Sequence, residues 1–178
     1  DLTLTWRWDN HWGFLKQAKR NPARPYIADQ TSGLKTYRDV ITAIHVLKPF
    51  IEKLPGSHIG LMLPASIAAN LAYYSTMFSG KVPVWLNWTV GLRSAKACLD
   101  KLSVQKVVTS RKLVDILKNR GVEFGSLEER FFYLEDLATK VSIFDKLSAW
   151  WKGRFDWSVL ENSKVAEIAA VLFTSGSE

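Results

Sequence analysis

Cysteine is nearly absent from the sequence: Cys98 is the single one. An intrachain disulfide is therefore excluded, and with it the staple-dependent folds of small secreted proteins, so a reducing cytoplasm is the expected compartment. Long apolar runs are missing too. No window approaches eighteen uninterrupted apolar residues, and the opening Asp1-Leu2-Thr3-Leu4 lacks the basic and then apolar arrangement of a signal peptide, so neither a spanning helix nor a leader is expected. Acidic residues are outnumbered, 17 against 24 Lys and Arg, for a net charge of +7. Those cations are scattered, from Lys16, Lys19 and Arg20 to Lys152 and Arg154, without a dense run or a zinc-finger spacing. No nucleic-acid partner is expected from them. His11, His45 and His58 share no metal-ligand spacing with one another or with Cys98, so each is expected to be structural and no metal centre is assigned. A Walker A spacing, internal repeats and low-complexity linkers are all lacking.

What remains is the composition of a folded domain. Of 178 residues, 47% are hydrophobic and 23% charged, enough to bury a core without staples. Pro25 to Asp29, a turn at Gln30 to Gly33, and Leu34 to Tyr37 read as a hairpin. From Thr36, a candidate N-cap, apolar positions Tyr37, Val40, Ile41, Ile44, Leu47 and Ile51 recur at helical spacing, with Pro49 predicting a kink or early stop. His58 to Leu63 is a short apolar run of the kind buried on both faces of a parallel sheet. Pro64 is expected to open a helix that reaches Ser79 and is closed by Gly80, and Lys81 to Leu86 forms the next strand. The alternation continues with a helix from Arg93 to Leu102, a strand over 105–109, a helix from Arg111 to Asn119, a strand at 131–134, a helix around Ser142 to Trp151 and a final strand from Glu167 to Thr174. The expected fold is α/β, one region over residues 1–178, with a mainly parallel sheet, helices on both faces and right-handed crossovers.

The last eight residues, Val171 to Glu178, carry the most chemical information. They place Thr174, Ser175, Gly176 and Ser177 directly after a buried strand, where loops of open α/β sheets meet ligands. Glycine permits close backbone approach, and the hydroxyls and exposed N–H groups can bind phosphate oxygens. On local chemistry alone an ordinary turn remains the default.

Leu172-Phe173-Thr174-Ser175-Gly176-Ser177 resembles the start of the signature loop of the adenylate-forming superfamily, which includes acyl-CoA synthetases, luciferases and peptide-synthetase adenylation domains. The resemblance extends along the chain. Leu34-Lys35-Thr36-Tyr37-Arg38 is similar to an early "L-T-Y-R" segment, Ile59-Gly60-Leu61-Met62-Leu63-Pro64 to a "V-G-L-M-L-P" strand, and Met77 to Val84 to an "A-G-x-x-x-V-P" segment. The resemblance implies an N-terminal subdomain of an AMP-binding domain that ends inside its phosphate loop and is inactive alone. Thr174, Ser175, Gly176, Ser177 and Glu178 would then contact ATP. Glu178 stands where Thr is commoner in the family, so a carboxylate there would help hold Mg²⁺ in place of a hydroxyl contact. No catalytic base or nucleophile is assigned, because the family's other functional segments follow the loop.

The Ser-Gly-Ser-Glu variant, with Trp85 to Thr89 and Phe132 to Leu137, looks most similar to the acyl-acyl-carrier-protein synthetase branch, whose members can be fused to a 2-acylglycerophosphoethanolamine acyltransferase. That implies a ligase that activates a fatty acid and passes the acyl group to a thiol of acyl carrier protein or coenzyme A, in the cytoplasm or peripherally at the inner face of the cell membrane. A lysophospholipid or membrane-surface contact would go with it. Phe144, Leu147, Trp151 and Phe155 share a helical face with Lys146, Lys152 and Arg154 nearby. That face is expected to pack on the sheet, the alternative being an anionic membrane surface. Trp6, Trp8 and Trp12 are expected in the core rather than in an acyl pocket or carrier contact. The competing function is a non-catalytic α/β domain that docks a lipid membrane or a protein.

Overall fold

A computed structural model describes residues 3–5, 10–88 and 92–173. Strands β1 (Thr3–Thr5), β4 (His58–Met62), β5 (Val82–Trp85), β6 (Val107–Thr109), β7 (Phe131–Tyr133) and β8 (Val171–Phe173) form one sheet in the order β1-β8-β5-β4-β6-β7. All neighbours pair in parallel except edge strand β1, which runs antiparallel to β8 with Thr3 opposite Phe173 and Thr5 opposite Val171. The expected mainly parallel α/β architecture is what forms. Strands β2 (Pro25–Asp29) and β3 (Gly33–Thr36) make the separate hairpin.

Central strand β4 is buried on both faces because both sides carry apolar residues. Ile59 and Leu61 face a core shared with helices α2 (Tyr37–Glu52), α3 (Ile67–Phe78) and α6 (Leu134–Lys140). Met62 faces the other core, built with α4 (Leu92–Lys101) and α5 (Arg111–Asn119). Gly60 has no side chain because there is no room for one: a Cβ there would lie 2.8 Å from Val107 Cγ2 and 3.3 Å from Leu86 Cδ1. Helix α1 (Asn10–Arg20) and the short α8 (Ser158–Glu161) add a further layer, with Phe14, Leu15, Ala18 and Leu160 packed on α2 and α3.

Several helix ends follow from local chemistry. Thr36 and Asp39 form a reciprocal capping box on α2, and Ser110 caps α5, whose expected bounds hold at both ends. Pro49 sits inside α2, near its C-terminal end, without stopping it. Helix α3 does not begin at Pro64. Ser66 is its N-cap, and the Ile67 N–H is bound by the Asp29 carboxylate of the hairpin at 2.9 Å. A distant acid thus adds to the local Ser66 cap, a contact that local sequence could not reveal.

Helix α7 (Ile143–Phe155) requires a second correction. Its large apolar face does not pack on the sheet: Phe144, Leu147, Trp151 and Phe155 are exposed. The helix docks on α2 through its small residues instead, with Ala149 and Gly153 buried. A Cβ on Gly153 would overlap Thr42 Oγ1 and lie 3.1 Å from Thr42 Cβ, so glycine lets the two helices approach. Trp12 is likewise half exposed on α1 rather than in the core, and Trp6 and Trp8 lie outside the described residues.

His45 is buried on α2, with its Nε2 lacking a hydrogen-bond partner. Burial first, then the nearby Lys152 and Lys48, pushes its pKa down from 6.5 to about 4, against the opposing pull of Asp156. The folded state therefore excludes a proton that the unfolded chain binds below pH 6.5, so stability falls as pH drops from there toward 4. Between pH 7 and pH 5 the loss is expected to be on the order of 1 to 2 kcal/mol. Urea unfolding at both pH values checks this, and a His45→Leu protein should show a much flatter dependence.

Candidate cleft at the carboxyl edge of the sheet

The carboxyl ends of the parallel strands share one edge, where ligands bind in open α/β sheets. Beside β4, β5 and β8 that edge carries a cleft of about 490 Å³. Ile27 of the hairpin forms one wall; Ser66, Ala69, Asn70 and Tyr73 form the floor along the start of α3; Trp85 and Leu172 close it from the strands. Trp85 and Tyr73 stack with centroids 6.3 Å apart. The walls are mainly apolar with a few placed polar groups, as in small-molecule sites generally.

Those polar groups have distinct states. Ser66 Oγ is engaged, donating to the Pro64 carbonyl at 2.9 Å and accepting from the Ala69 N–H at 3.2 Å. Asn70 Nδ2 donates to Tyr26 Oη at 3.3 Å, and Tyr26 Oη donates to Tyr74 Oη at 3.3 Å. Burial, with the Tyr26 hydrogen bond next, raises the Tyr74 phenol well above its ordinary pKa, so it stays protonated. Asn70 Oδ1 is buried without a partner and is an unused acceptor in a lining residue. Backbone bonds, that from Ile67 first, keep Asp29 below the usual carboxylate range, so its charge remains at the start of α3. Among the described residues no His, Asp or Glu lines the cleft, and its mainly apolar wall can bind an organic group.

Farther along the edge, between β6 and β7, the Arg111 N–H donates to Glu135 Oε1 at 2.9 Å and its guanidinium to Asp136 Oδ1 at 2.6 Å, while the same guanidinium lies over the Tyr133 ring. Glu135 and Asp136 thus join the start of α6 to the start of α5. No group of three or more His, Cys, Asp or Glu placed to hold a metal occurs among the described residues. His58 Nδ1 is 3.0 Å from Ser57 Oγ, and His45 lies near Lys152 of α7, so both of these histidines have structural surroundings.

The expected loop residues Thr174, Ser175, Gly176, Ser177 and Glu178 lie outside the described residues. The strand that leads to them is described: β8 pairs in parallel with β5, Val171 opposite Val84 and Leu172 opposite Trp85, and its C-terminal residue is Phe173. Leu172 and Trp85 both line the cleft. Asn70, Tyr73 and Ile27 were not read as site residues from sequence. Asn70, a polar residue on an otherwise apolar helix start, was the available signal.

The fold defined by this sheet and its flanking helices is shared with several solved structures, one of them an N-terminal domain. The structure is similar over 99% of this chain to 46% of VinN in its complex with 3-methylaspartate, with 18% identity and a TM-score of 0.65. It is also similar over 73% of the chain to 34% of the inhibitor-bound N-terminal domain of FACL13 from Mycobacterium tuberculosis, at 15% identity and TM-score 0.56. The O-succinylbenzoate coenzyme A synthetase MenE of Bacillus subtilis, in complex with AMP, matches over 79% of the chain and 34% of its own length, at 11% identity and TM-score 0.57. The chain therefore spans less than half the length of these structures. No protein-family model matches the sequence.

Proposed function

We propose that residues 1–178 are the N-terminal part of an AMP-binding domain in an ATP-dependent acid-activating ligase, and that this chain alone is inactive. The observation that carries the reading is the course of β8. It brings the chain at Phe173 to the carboxyl edge beside the cleft, immediately before Thr174-Ser175-Gly176-Ser177-Glu178, within a fold shared with adenylate-forming enzymes.

In this reading the N–H groups and hydroxyls of Thr174, Ser175, Gly176 and Ser177 hold the ATP phosphates, and Glu178 helps hold Mg²⁺. An oxygen of the acid attacks the α-phosphorus, the bond to pyrophosphate breaks, and an acyl-adenylate forms. A thiolate then attacks the acyl carbon and AMP leaves. The loop's part is to orient the phosphates and to offset charge as pyrophosphate departs. The similarity of the terminal segment to the acyl-acyl-carrier-protein synthetase branch supports a fatty acid as the acid, acyl carrier protein or coenzyme A as the acceptor, and a membrane-surface or lysophospholipid contact at the inner face of the cell membrane.

The test is ATP–pyrophosphate exchange by the complete reading frame containing this chain. Ser175→Ala with Ser177→Ala should lower kcat/KM for ATP at least about tenfold, with the unfolding midpoint unchanged. Unchanged exchange would remove the loop from the phosphates. A second reading, a non-catalytic docking domain, is favoured by one observation: the apolar face of α7 is exposed.

A further inference from the structure

We infer that α7 is a docking element for an anionic lipid surface, inserting its apolar stripe among headgroups while flanking cations meet the lipid phosphates. This deepens the membrane contact proposed above by naming its surface, and it does not depend on adenylation.

Six large apolar side chains stand out from α7: Ile143, Phe144, Leu147, Trp150, Trp151 and Phe155, from 47% exposed at Trp150 to 80% at Phe144. At about 100° per residue they form one stripe about 140° wide. Ala149 and Gly153 lie on the opposite side, where α7 meets α2. The helix is thus amphipathic with its polarity inverted relative to a core helix, its small residues inward and its large ones outward. Such a face exposed to water is unfavourable unless something covers it.

Charge indicates what covers it. On the same projection Lys146 borders one side of the stripe and Lys152 the other, while Arg154 lies within it, its guanidinium 4.4 Å over the Trp150 ring. None of the three takes part in the ion pairs among the described residues. The neighbouring acids are already engaged. Asp145 accepts from the Ser142 N–H and hydroxyl in a capping box, Asp156 accepts from the Ser158 N–H, Asp39 closes the α2 cap, and Glu161 pairs with Lys19. Those hydrogen bonds hold Asp145 and Asp156 below the usual carboxylate range.

The helix therefore offers its partner exposed apolar residues, two tryptophans suited to the water–lipid boundary, and cations on both margins, the pattern of a helix lying in the interface. A second copy fits less well, because two-fold pairing of this face would bring Lys146, Lys152 and Arg154 of both copies together.

Vesicle co-sedimentation without nucleotide tests this, using phosphatidylcholine alone or mixed with phosphatidylglycerol. The chain should partition onto the mixed vesicles, and less so as salt rises. Phe144→Ser with Leu147→Ser and Trp151→Ser should weaken partitioning at least about tenfold. Lys146→Glu with Lys152→Glu should lower it about tenfold on phosphatidylglycerol and abolish the lipid preference. All five positions lie on the outer side or margins of α7, so unfolding midpoints serve as the fold control. Wild-type chain left in the supernatant with phosphatidylglycerol vesicles, or equal partitioning of wild type and the triple serine variant, overturns the proposal. So does a vesicle-free dimer by light scattering that the serine variant loses, since a second copy would then cover the face. Because no ATP is present, failure here is separate from failure of the exchange assay.

Discussion

Phe14→Ala is expected to cost about 3–5 kcal/mol, the usual penalty for removing a buried aromatic ring. Phe14 is 5% exposed and sits between elements far apart in sequence. Its ring stacks on Tyr74 of α3 at 4.3 Å, meets Tyr26 of the hairpin edge-on at 5.3 Å and lies 5.7 Å from Tyr37 at the start of α2. Deleting it opens a cavity under three tyrosines, and the Tyr26 to Tyr74 hydrogen bond limits how far they can close in. Urea unfolding followed by tryptophan fluorescence measures the loss. A penalty under about 1 kcal/mol would mean that α1 is not anchored there.

Lys81→Met should cost about 2–3 kcal/mol through a different mechanism, the removal of a charged donor from carbonyls that have little access to water. The Lys81 ammonium is reached by a nearly buried side chain, and it donates to the carbonyl of Leu54 and to that of Gly56 at 3.0 Å. Burial lowers its pKa, partly opposed by the attraction of Glu52. Methionine keeps most of the stem's volume, so the change isolates the ammonium. Unfolding midpoints, together with amide exchange over 54–57, should show a loosened turn between α2 and β4; unchanged exchange there would refute the tether.

The five parallel strands of the sheet, α2, α5 and the hairpin were legible because their signals are local: apolar runs, Ser and Thr caps, and Gly121 after α5, where φ is +85°; the antiparallel edge strand β1 was not. The start of α3 was misplaced because Pro64 offered a competing start signal two residues before the local Ser66 cap, and the further bond from Asp29, 38 residues away, was not legible. Helix α1 was missed as well, since the aromatic contacts of Phe14 that fix it are long-range. In α7 the periodicity was readable but its direction was not. The docking side was marked by Ala149 and Gly153, four residues apart, which let α2 come close, whereas size alone pointed to the opposite face.

For the candidate site, the chemistry is proposed from the terminal segment, and the fold describes the strand that leads to it. A parallel sheet was implied by alternating strands and helices; the placement of β8 beside β5 and the cleft lined by Ile27, Asn70 and Tyr73 were not, because they depend on strand order and on how the hairpin lies over α3. Asn70 Oδ1, buried and without a hydrogen-bond partner, is an acceptor with unused capacity in the cleft lining.

The most direct test of the account is whether pyrophosphate exchange into ATP by the complete reading frame depends on an added carboxylic acid. Exchange should rise with a fatty acid, be absent without any acid, and be absent from residues 1–178 alone. A folded, full-length protein that shows no exchange with fatty, aryl or amino acids would contradict it and leave the docking domain as the function.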